Sequence, residues 1–225
     1  MTVVRAPRIA QSAFRKIRTP AALQEKIWAE YSAMKFQPTG GEAVYDPHYK
    51  AKQRAGISAQ GEGEPDVGHA PASRELFDAC YEILTPLIEE WAGCKLTRSW
   101  GYGIRSYGRG SVLHLHRDRV DTHVISCIIH VDDRSDTPWP LDFIDHEGEL
   151  HHVTFARGET LFYESLCPHA RLTPFAGEYY RNMYVHWRPE NWEPETCRGM
   201  RSRYSSIEEC LSEWQDQDSA AIATG

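Results

Sequence analysis

The sequence predicts a mainly β protein, built as a sandwich or double-sheet barrel with helices packed on its outside. Three observations lead to this fold class. Between residues 95 and 189, short apolar or alternating runs follow one another. Clusters of Gly, Asp, Glu and Ser, the residues that favour turns, separate most of these runs. Before residue 95, apolar residues recur instead at the spacing of amphipathic helices.

The β region contains eight runs with the length and alternation of strands. Many short strands with turn signals between them are typical of sandwiches and barrels. The runs are 98–107, 112–116, 123–131, 141–144, 152–155, 160–163, 169–173 and 179–187.

Three segments carry helical signals. The first is expected to begin at Thr19 as the N-cap, with Pro20 at the first helical position. The second begins near Ser73 and continues to about residue 91, and a short third covers about 207–215. Segment 38–72 is rich in Gly, Pro, Asp and Glu, so it is predicted to be a long loop, either a surface excursion or a lid over a pocket.

Length and composition limit the classes of protein. The 225 residues fit a single domain, with helical support and a loop or lid in 1–94, a β core in 95–190 and a tail in 191–225. A net charge of -7 without a long Lys/Arg tract argues against a nucleic-acid partner. No apolar stretch reaches membrane-spanning length and no signal peptide is visible, so a soluble, cytoplasmic protein is expected. Six cysteines without a CxxC pair predict neither a disulfide framework nor a zinc knuckle.

The strongest chemical signal is His116-Arg117-Asp118. On a strand, residues i and i+2 point to the same face, so one imidazole and one carboxylate can reach the same metal ion. His169, which follows Pro168 at the start of a later strand, is the best candidate for a third ligand. Two His and one carboxylate form the facial triad of non-haem Fe(II) oxygenases. Spacing alone leaves an alternative open, because His114 shares a face with His116 and a three-histidine, cupin-type site would use it.

Further motifs appear in a fixed order around these residues. Tyr107-Gly108-Arg109-Gly110 precedes the HxD sequence, and Pro168-His169, Arg181 and Trp187 follow it. In this order and spacing the chain, from about residue 100 to 189, resembles the Fe(II)/2-oxoglutarate-dependent dioxygenases, specifically the prolyl 4-hydroxylase-like branch. The resemblance implies a double-stranded β-helix (jelly-roll) core.

The resemblance also implies roles for individual residues. It implies iron ligation by His116, Asp118 and His169. It suggests that Arg181 binds the C5 carboxylate of 2-oxoglutarate, since a guanidinium can hold a carboxylate by two hydrogen bonds. Further cofactor contacts are expected from Tyr107 and from His130, which stands where relatives often carry a tyrosine. The candidate substrate pocket comprises Tyr102, Arg105, Tyr163 and Trp187.

The activity implied by the resemblance is oxidation of an amino acid, a peptidyl proline or a small metabolite. The cofactors would be Fe(II), 2-oxoglutarate and O₂, with ascorbate in support and with succinate and CO₂ as co-products. Because halogenating relatives lack the carboxylate that Asp118 supplies, hydroxylation is expected, with desaturation and cyclisation still open. The expected partner is a small-molecule or peptide substrate, with no membrane involved. Two alternatives remain: a cupin-like metal enzyme that does not use 2-oxoglutarate, and a non-catalytic jelly-roll metal-binding protein.

Overall fold

The computed structural model describes residues 5–38, 57–59 and 67–222, and two antiparallel sheets dominate it. The larger sheet has the strand order β1-β10-β7-β12-β5-β4-β2, and the smaller has the order β3-β6-β11-β8-β9. The strands are β1 (Phe14–Arg18), β2 (Gln37–Pro38), β3 (Ile57–Ala59), β4 (Val67–Ala70), β5 (Leu96–Gly108), β6 (Ser111–His116), β7 (Ile125–Arg134), β8 (Leu141–Ile144), β9 (Leu150–Val153), β10 (Glu159–Glu164), β11 (His169–Arg171) and β12 (Tyr179–Pro189).

Three α-helices accompany the sheets in the described part of the chain: α1 (Ala21–Tyr31), α2 (Arg74–Ala92) and α3 (Ile207–Ile222). The helix α2 begins where the sequence predicts, and the Ser73 hydroxyl caps it by accepting a hydrogen bond from the Leu76 amide at 3.0 Å. Gly93 ends α2 in the left-handed region, with φ 71°. Thr19 does not cap α1, because its hydroxyl pairs with the Thr160 hydroxyl of β10 at 2.9 Å.

The larger sheet is covered on both faces. Alternate residues of β12, namely Met183, Val185 and Trp187, pack on one face in a core shared with α1 and α2. The opposite face, called the inner face here, lies against the smaller sheet, where Leu161 and Phe143 belong to a second core. Since a strand buried on both faces shows no hydrophobic alternation, the sequence of β12 does not reveal which side faces inward.

The smaller sheet carries α3 on its outer face. Leu115, Ile144 and Ala170 form an apolar cluster there with Tyr204 and Cys210. The space between the two sheets therefore lies inside the molecule, with helices on the outside of both. This arrangement directs inward-facing polar residues of β5, β6, β11 and β12 toward one another.

Segment 38–72 differs in part from the loop that its composition predicts. Residues 57–59 form β3 beside β6, and residues 67–70 form β4 beside β5. The rest of the segment, and with it most of the proposed lid, lies outside the described residues. The sequence also gave no signal for β1, which pairs with β10 at the edge of the larger sheet. Among the described helices, none combines the length and apolar composition that a transmembrane segment requires.

Trp187 is expected to be a stability residue. It is fully buried, its ring meets that of Tyr81 at 5.3 Å, and its indole N–H donates to the Thr85 hydroxyl at 3.0 Å. Trp187→Phe should lower the free energy of unfolding by about 2 kcal/mol, through a lost hydrogen bond and lost buried area. Trp100→Phe is the matched control, because Trp100 is 52% exposed and should change stability by less than about 0.5 kcal/mol. Urea unfolding of both variants measures the difference, and equal effects would contradict the assignment.

Candidate metal centre

The structure brings His116, Asp118 and His169 together between the sheets. His116 is the last residue of β6 and pairs directly with His169, the first residue of β11. One ligand atom from each of the three side chains lies within 4.8 Å of the others. Nε2 of His116 is 3.6 Å from Asp118 Oδ1, and Nε2 of His169 is 3.9 Å from Asp118 Oδ2. Two atoms bound to one ion at about 2.1 Å are at most about 4.2 Å apart, so these separations fit a shared metal ion.

Backbone carbonyls orient both imidazoles. His116 Nδ1 contacts the His114 carbonyl oxygen at 2.8 Å, and His169 Nδ1 contacts the Cys167 carbonyl oxygen at 3.0 Å. A carbonyl only accepts, so each Nδ1 carries the proton and each Nε2 presents a lone pair toward Asp118. Metal-ligating histidines are commonly oriented in this way. His114 supplies its backbone to this arrangement, and the donor group contains the Asp118 carboxylate in place of the His114 ring.

Electrostatics keep Asp118 and His169 in the protonation states that metal binding needs. Burial raises the pKa of Asp118, but the nearby His116, His169 and His123 outweigh it and hold that pKa well below its usual range. Burial, together with the neighbouring His116, lowers the pKa of His169 to about 4. The Tyr163 hydroxyl donates to Asp118 Oδ2 at 3.4 Å. At neutral pH the group therefore consists of a carboxylate and a neutral His169 imidazole.

The buried histidines predict acid sensitivity of the metal-free protein. Burial lowers the pKa of His169, His123 and His186 below the value they have when unfolded. Between pH 6.5 and about 4 the unfolded chain binds protons that the folded protein excludes, so stability should fall as pH falls through this window. Each unit of pKa difference is worth about 1.4 kcal/mol. Urea unfolding at pH 7 and pH 5 tests this, with His169→Gln expected to show the weaker dependence; equal stability at both pH values would contradict it.

Four side chains of β5 line the inner face. They are described from the end that lies near His116, Asp118 and His169, called the metal end here. Trp100 and Tyr102 lie nearest the metal end, with ring centroids 6.3 Å apart. Arg105 follows, beside the phenols of Tyr107 and Tyr184. Tyr107, which is 1% exposed, shares a 2.9 Å hydrogen bond with the Tyr184 hydroxyl. The predicted pocket residues Tyr102 and Arg105, and the predicted cofactor residue Tyr107, thus share one wall.

A second polar group lies beside the metal end and was missed from the sequence. The rings of His123 and His186 are 3.8 Å apart, and His186 Nδ1 lies 2.6 Å from the Ser126 hydroxyl. Nε2 of His186 is buried and has no hydrogen-bond partner among the described residues. Tyr102 contacts both imidazole rings. The sequence offered no signal for this group, because both faces of β12 are buried and nothing in the strand marks the side on which His186 lies.

The prediction that Arg181 reaches the site is wrong. Its guanidinium donates to the Tyr31 hydroxyl of α1 at 2.5 Å and to the Ser106 hydroxyl at 3.2 Å. It also stacks on the rings of Phe36 and Tyr179, at 4.2 and 4.0 Å. Arg181 lies on the same side of β12 as the apolar residues that pack under the helices, so its side chain points away from the inner face.

Arg171 provides an inward-facing guanidinium instead. It lies two residues after His169 on β11 and is 1% exposed. Nη1 donates to the Trp139 carbonyl oxygen, and the guanidinium lies 4.5 Å from the Trp139 ring and 4.8 Å from that of Tyr180. Nη2 is buried and has no hydrogen-bond partner among the described residues. Among the described residues, no carboxylate forms an ion pair with the Arg171 guanidinium.

Two other predicted residues have roles different from those expected. His130 faces inward, but its nitrogens contact Asn182 Oδ1 at 2.9 Å and Asp133 Oδ1 at 3.0 Å, so neither is free for a cofactor. Burial also lowers the pKa of His130, which favours the neutral ring. The prediction of Trp187 as a pocket residue is wrong, because it packs under α2. Tyr163, which is predicted as a pocket residue, lies beside the donor group, with its ring 5.2 Å from that of His169.

Comparison with known proteins gave matches in structure only. No family model and no curated protein matches the sequence. HygX from Streptomyces hygroscopicus, solved with nickel, 2-oxoglutarate and hygromycin B, matches with a TM-score of 0.54 and 12% identity over 89% of this chain and 95% of that chain. A 2OG-Fe(II) oxygenase family protein from Burkholderia pseudomallei matches with a TM-score of 0.54 and 11% identity, over 81% and 87%. The chain has the fold of 2OG-Fe(II) oxygenases.

AviO1 from Streptomyces viridochromogenes matches to a similar extent, with a TM-score of 0.53 and 12% identity over 83% of this chain and 94% of that chain. The predicted fold class, a jelly-roll core with flanking helices, is therefore confirmed for this oxygenase-fold chain. At these identities the likeness concerns the fold, and the chemistry has to be argued from the side chains.

Proposed function

We propose that this protein is a non-haem oxygenase that uses Fe(II), 2-oxoglutarate and O₂ to hydroxylate an organic substrate. The observation that carries the proposal is the convergence of two imidazole Nε2 atoms and one carboxylate within 4.8 Å, inside an oxygenase fold. Such a donor set suits Fe(II) and leaves coordination positions open for other ligands.

In this proposal His116, Asp118 and His169 hold the iron. Bound iron would supply the activation of O₂, coupled to oxidative decarboxylation of 2-oxoglutarate to succinate and CO₂. The chain's own contribution is to keep Nε2 of both imidazoles unprotonated through their Nδ1 contacts. The Tyr163 hydroxyl restrains the Asp118 carboxylate, and the Tyr163 ring is buried against that of His169.

We assign the C5 carboxylate of 2-oxoglutarate to Arg171. A buried cation without an anionic partner is costly, and its open Nη2 donor marks the place where an anion would relieve that cost. Arg105 is the second inward-facing cation, and both guanidiniums act electrostatically on the Tyr184 phenol. Tyr107, hydrogen-bonded to Tyr184, belongs to the same region and keeps its proposed cofactor role.

The substrate is proposed to be a small molecule or a peptide that approaches along β5. HygX has been solved with a small molecule, hygromycin B, bound. In this chain the exposed Trp100 and the half-buried Tyr102 offer an aromatic surface beside the metal end. An alternative three-histidine centre is less favoured, because Asp118 lies within the donor group and the His114 ring does not.

Succinate formation tests the proposal. The protein, supplied with Fe(II), ascorbate, 2-oxoglutarate and air, should convert 2-oxoglutarate to succinate even without substrate, by uncoupled turnover. His116→Ala should abolish the signal. Metal binding without succinate would favour the non-catalytic jelly-roll alternative, or a metal enzyme that does not use 2-oxoglutarate.

A further inference from the structure

We propose that residues 201–214, called the clamp segment here, hold the metal-binding residues in their ligating arrangement through Arg117. Arg117 is then a positioning residue, since it touches neither metal nor substrate. The inference rests on the proposed metal role of His116 and Asp118, the two residues that flank it.

The main chain between these two ligands needs external support. β6 ends at His116, so Asp118 follows in a segment outside the strand. The clamp segment runs beside this strand end and bonds to it on both sides of His116. The contacts are the Arg117 amide to the Ser202 carbonyl at 2.9 Å, the Tyr204 amide to the Leu115 carbonyl at 3.1 Å, and an antiparallel bridge between His116 and Arg203.

The Arg117 side chain completes the attachment. It is 3% exposed and points away from the metal ligands, into a polar network of the clamp segment. Nη1 donates to the Arg201 carbonyl at 2.9 Å and to the Tyr204 hydroxyl, and Nη2 donates to Glu213 Oε2 at 3.0 Å. The Tyr204 hydroxyl in turn donates to Glu213 Oε1 at 2.8 Å.

The network does more than attach α3, because apolar contacts already hold that helix. Cys210 packs with Leu115, Ile144 and Ala170, and the Trp214 indole donates to the His146 carbonyl at 3.0 Å. Buried ion pairs are often no more stabilising than well-packed apolar residues. A charged network in this place therefore points to control of geometry, applied to the residue between two ligands.

Loss of Glu213 should propagate to the metal centre. It would leave the Arg117 guanidinium buried without a counter-charge, and the side chain would shift toward water. Because Arg117 lies directly between His116 and Asp118, such a shift displaces both donor atoms. Partners outside the ligand shell typically alter metal affinity by about 10- to 100-fold.

The test compares Glu213→Gln with Glu208→Gln. Glu208 is an exposed carboxylate of the same helix whose side chain takes no part in the Arg117 network described above, which makes it a matched control. Glu213→Gln should raise the Fe(II) dissociation constant about tenfold, measured without oxygen. It should also speed hydrogen exchange of the Arg117 amide in the metal-free protein, and Glu208→Gln should do neither.

Each outcome decides the matter. Unchanged Fe(II) affinity and exchange in a folded Glu213→Gln protein would overturn the inference. If that variant fails to fold, Tyr204→Phe, which removes only the shared hydroxyl, should still weaken Fe(II) binding, and an unchanged affinity would reject the clamp. A wild-type protein that binds no Fe(II) would instead overturn the proposed function, and the exchange measurement would still show whether Glu213 holds Arg117.

Discussion

Arg171→Gln is expected to raise the 2-oxoglutarate concentration needed for half-maximal succinate formation by one to two orders of magnitude. Arg171 is the buried guanidinium with an open donor on the inner face. A hydrogen bond to a charged group is worth about 1.5–3 kcal/mol, which corresponds to roughly 10- to 100-fold in affinity. Fe(II) affinity measured without 2-oxoglutarate should change little, because Arg171 is outside the donor group.

Arg181→Gln is the matched control. Arg181 bonds to Tyr31 and Ser106 on the helix-covered face, so its loss should lower stability while leaving the 2-oxoglutarate requirement within about twofold. Thermal unfolding of both variants separates the two effects. A larger rise in the requirement for Arg181→Gln than for Arg171→Gln would contradict the assignment, and the largest rise for Arg105→Gln would move the role to that residue.

Asp118→Ala should reduce Fe(II) affinity at least about 100-fold and abolish succinate formation. It removes the only negatively charged donor of the group, which leaves two neutral imidazoles to hold a divalent cation. His169→Ala should have a similar effect, because its Nε2 is one of the three converging atoms. Anaerobic Fe(II) titration of the purified variants gives the affinities directly.

His114→Ala serves as the control for this series. His114 lies two residues before His116 on the same strand, and it orients His116 through a backbone carbonyl that alanine retains. The variant should therefore bind Fe(II) nearly as well as the wild type. A loss as large as that in Asp118→Ala would favour the three-histidine, cupin-type centre.

The sequence predicted which three side chains converge because the i, i+2 rule for strands is local. His116 and Asp118 are only two residues apart, hydrogen bonds from residues 202–204 support the chain between them, and β11 places His169 directly opposite His116. The same rule, applied once more, would have identified Arg171, which follows His169 by two residues. The resemblance pointed to Arg181 instead. The order of motifs along the chain contains no information about the face of the strand on which a residue lies.

The sequence of β12 does not show which of its residues face inward, because both faces of the strand are buried. Met183 and Val185 pack under the helices, whereas Tyr184 and His186 face inward, and no solvent-exposed side marks the difference.

The edge strands β1 and β3 were missed for another reason. Each pairs with a strand that is distant in sequence, β1 with β10 and β3 with β6, and neither has a hydrophobic pattern that predicts a strand.

A crystal structure with Fe(II) or an inert substitute and 2-oxoglutarate, prepared without oxygen, tests the central claim most directly. Anomalous scattering should place one metal ion within bonding distance of His116 Nε2, His169 Nε2 and an Asp118 carboxylate oxygen. The C5 carboxylate should face the Arg171 guanidinium. A metal ion bound elsewhere, or a metal bound by His114 in place of Asp118, would contradict the account.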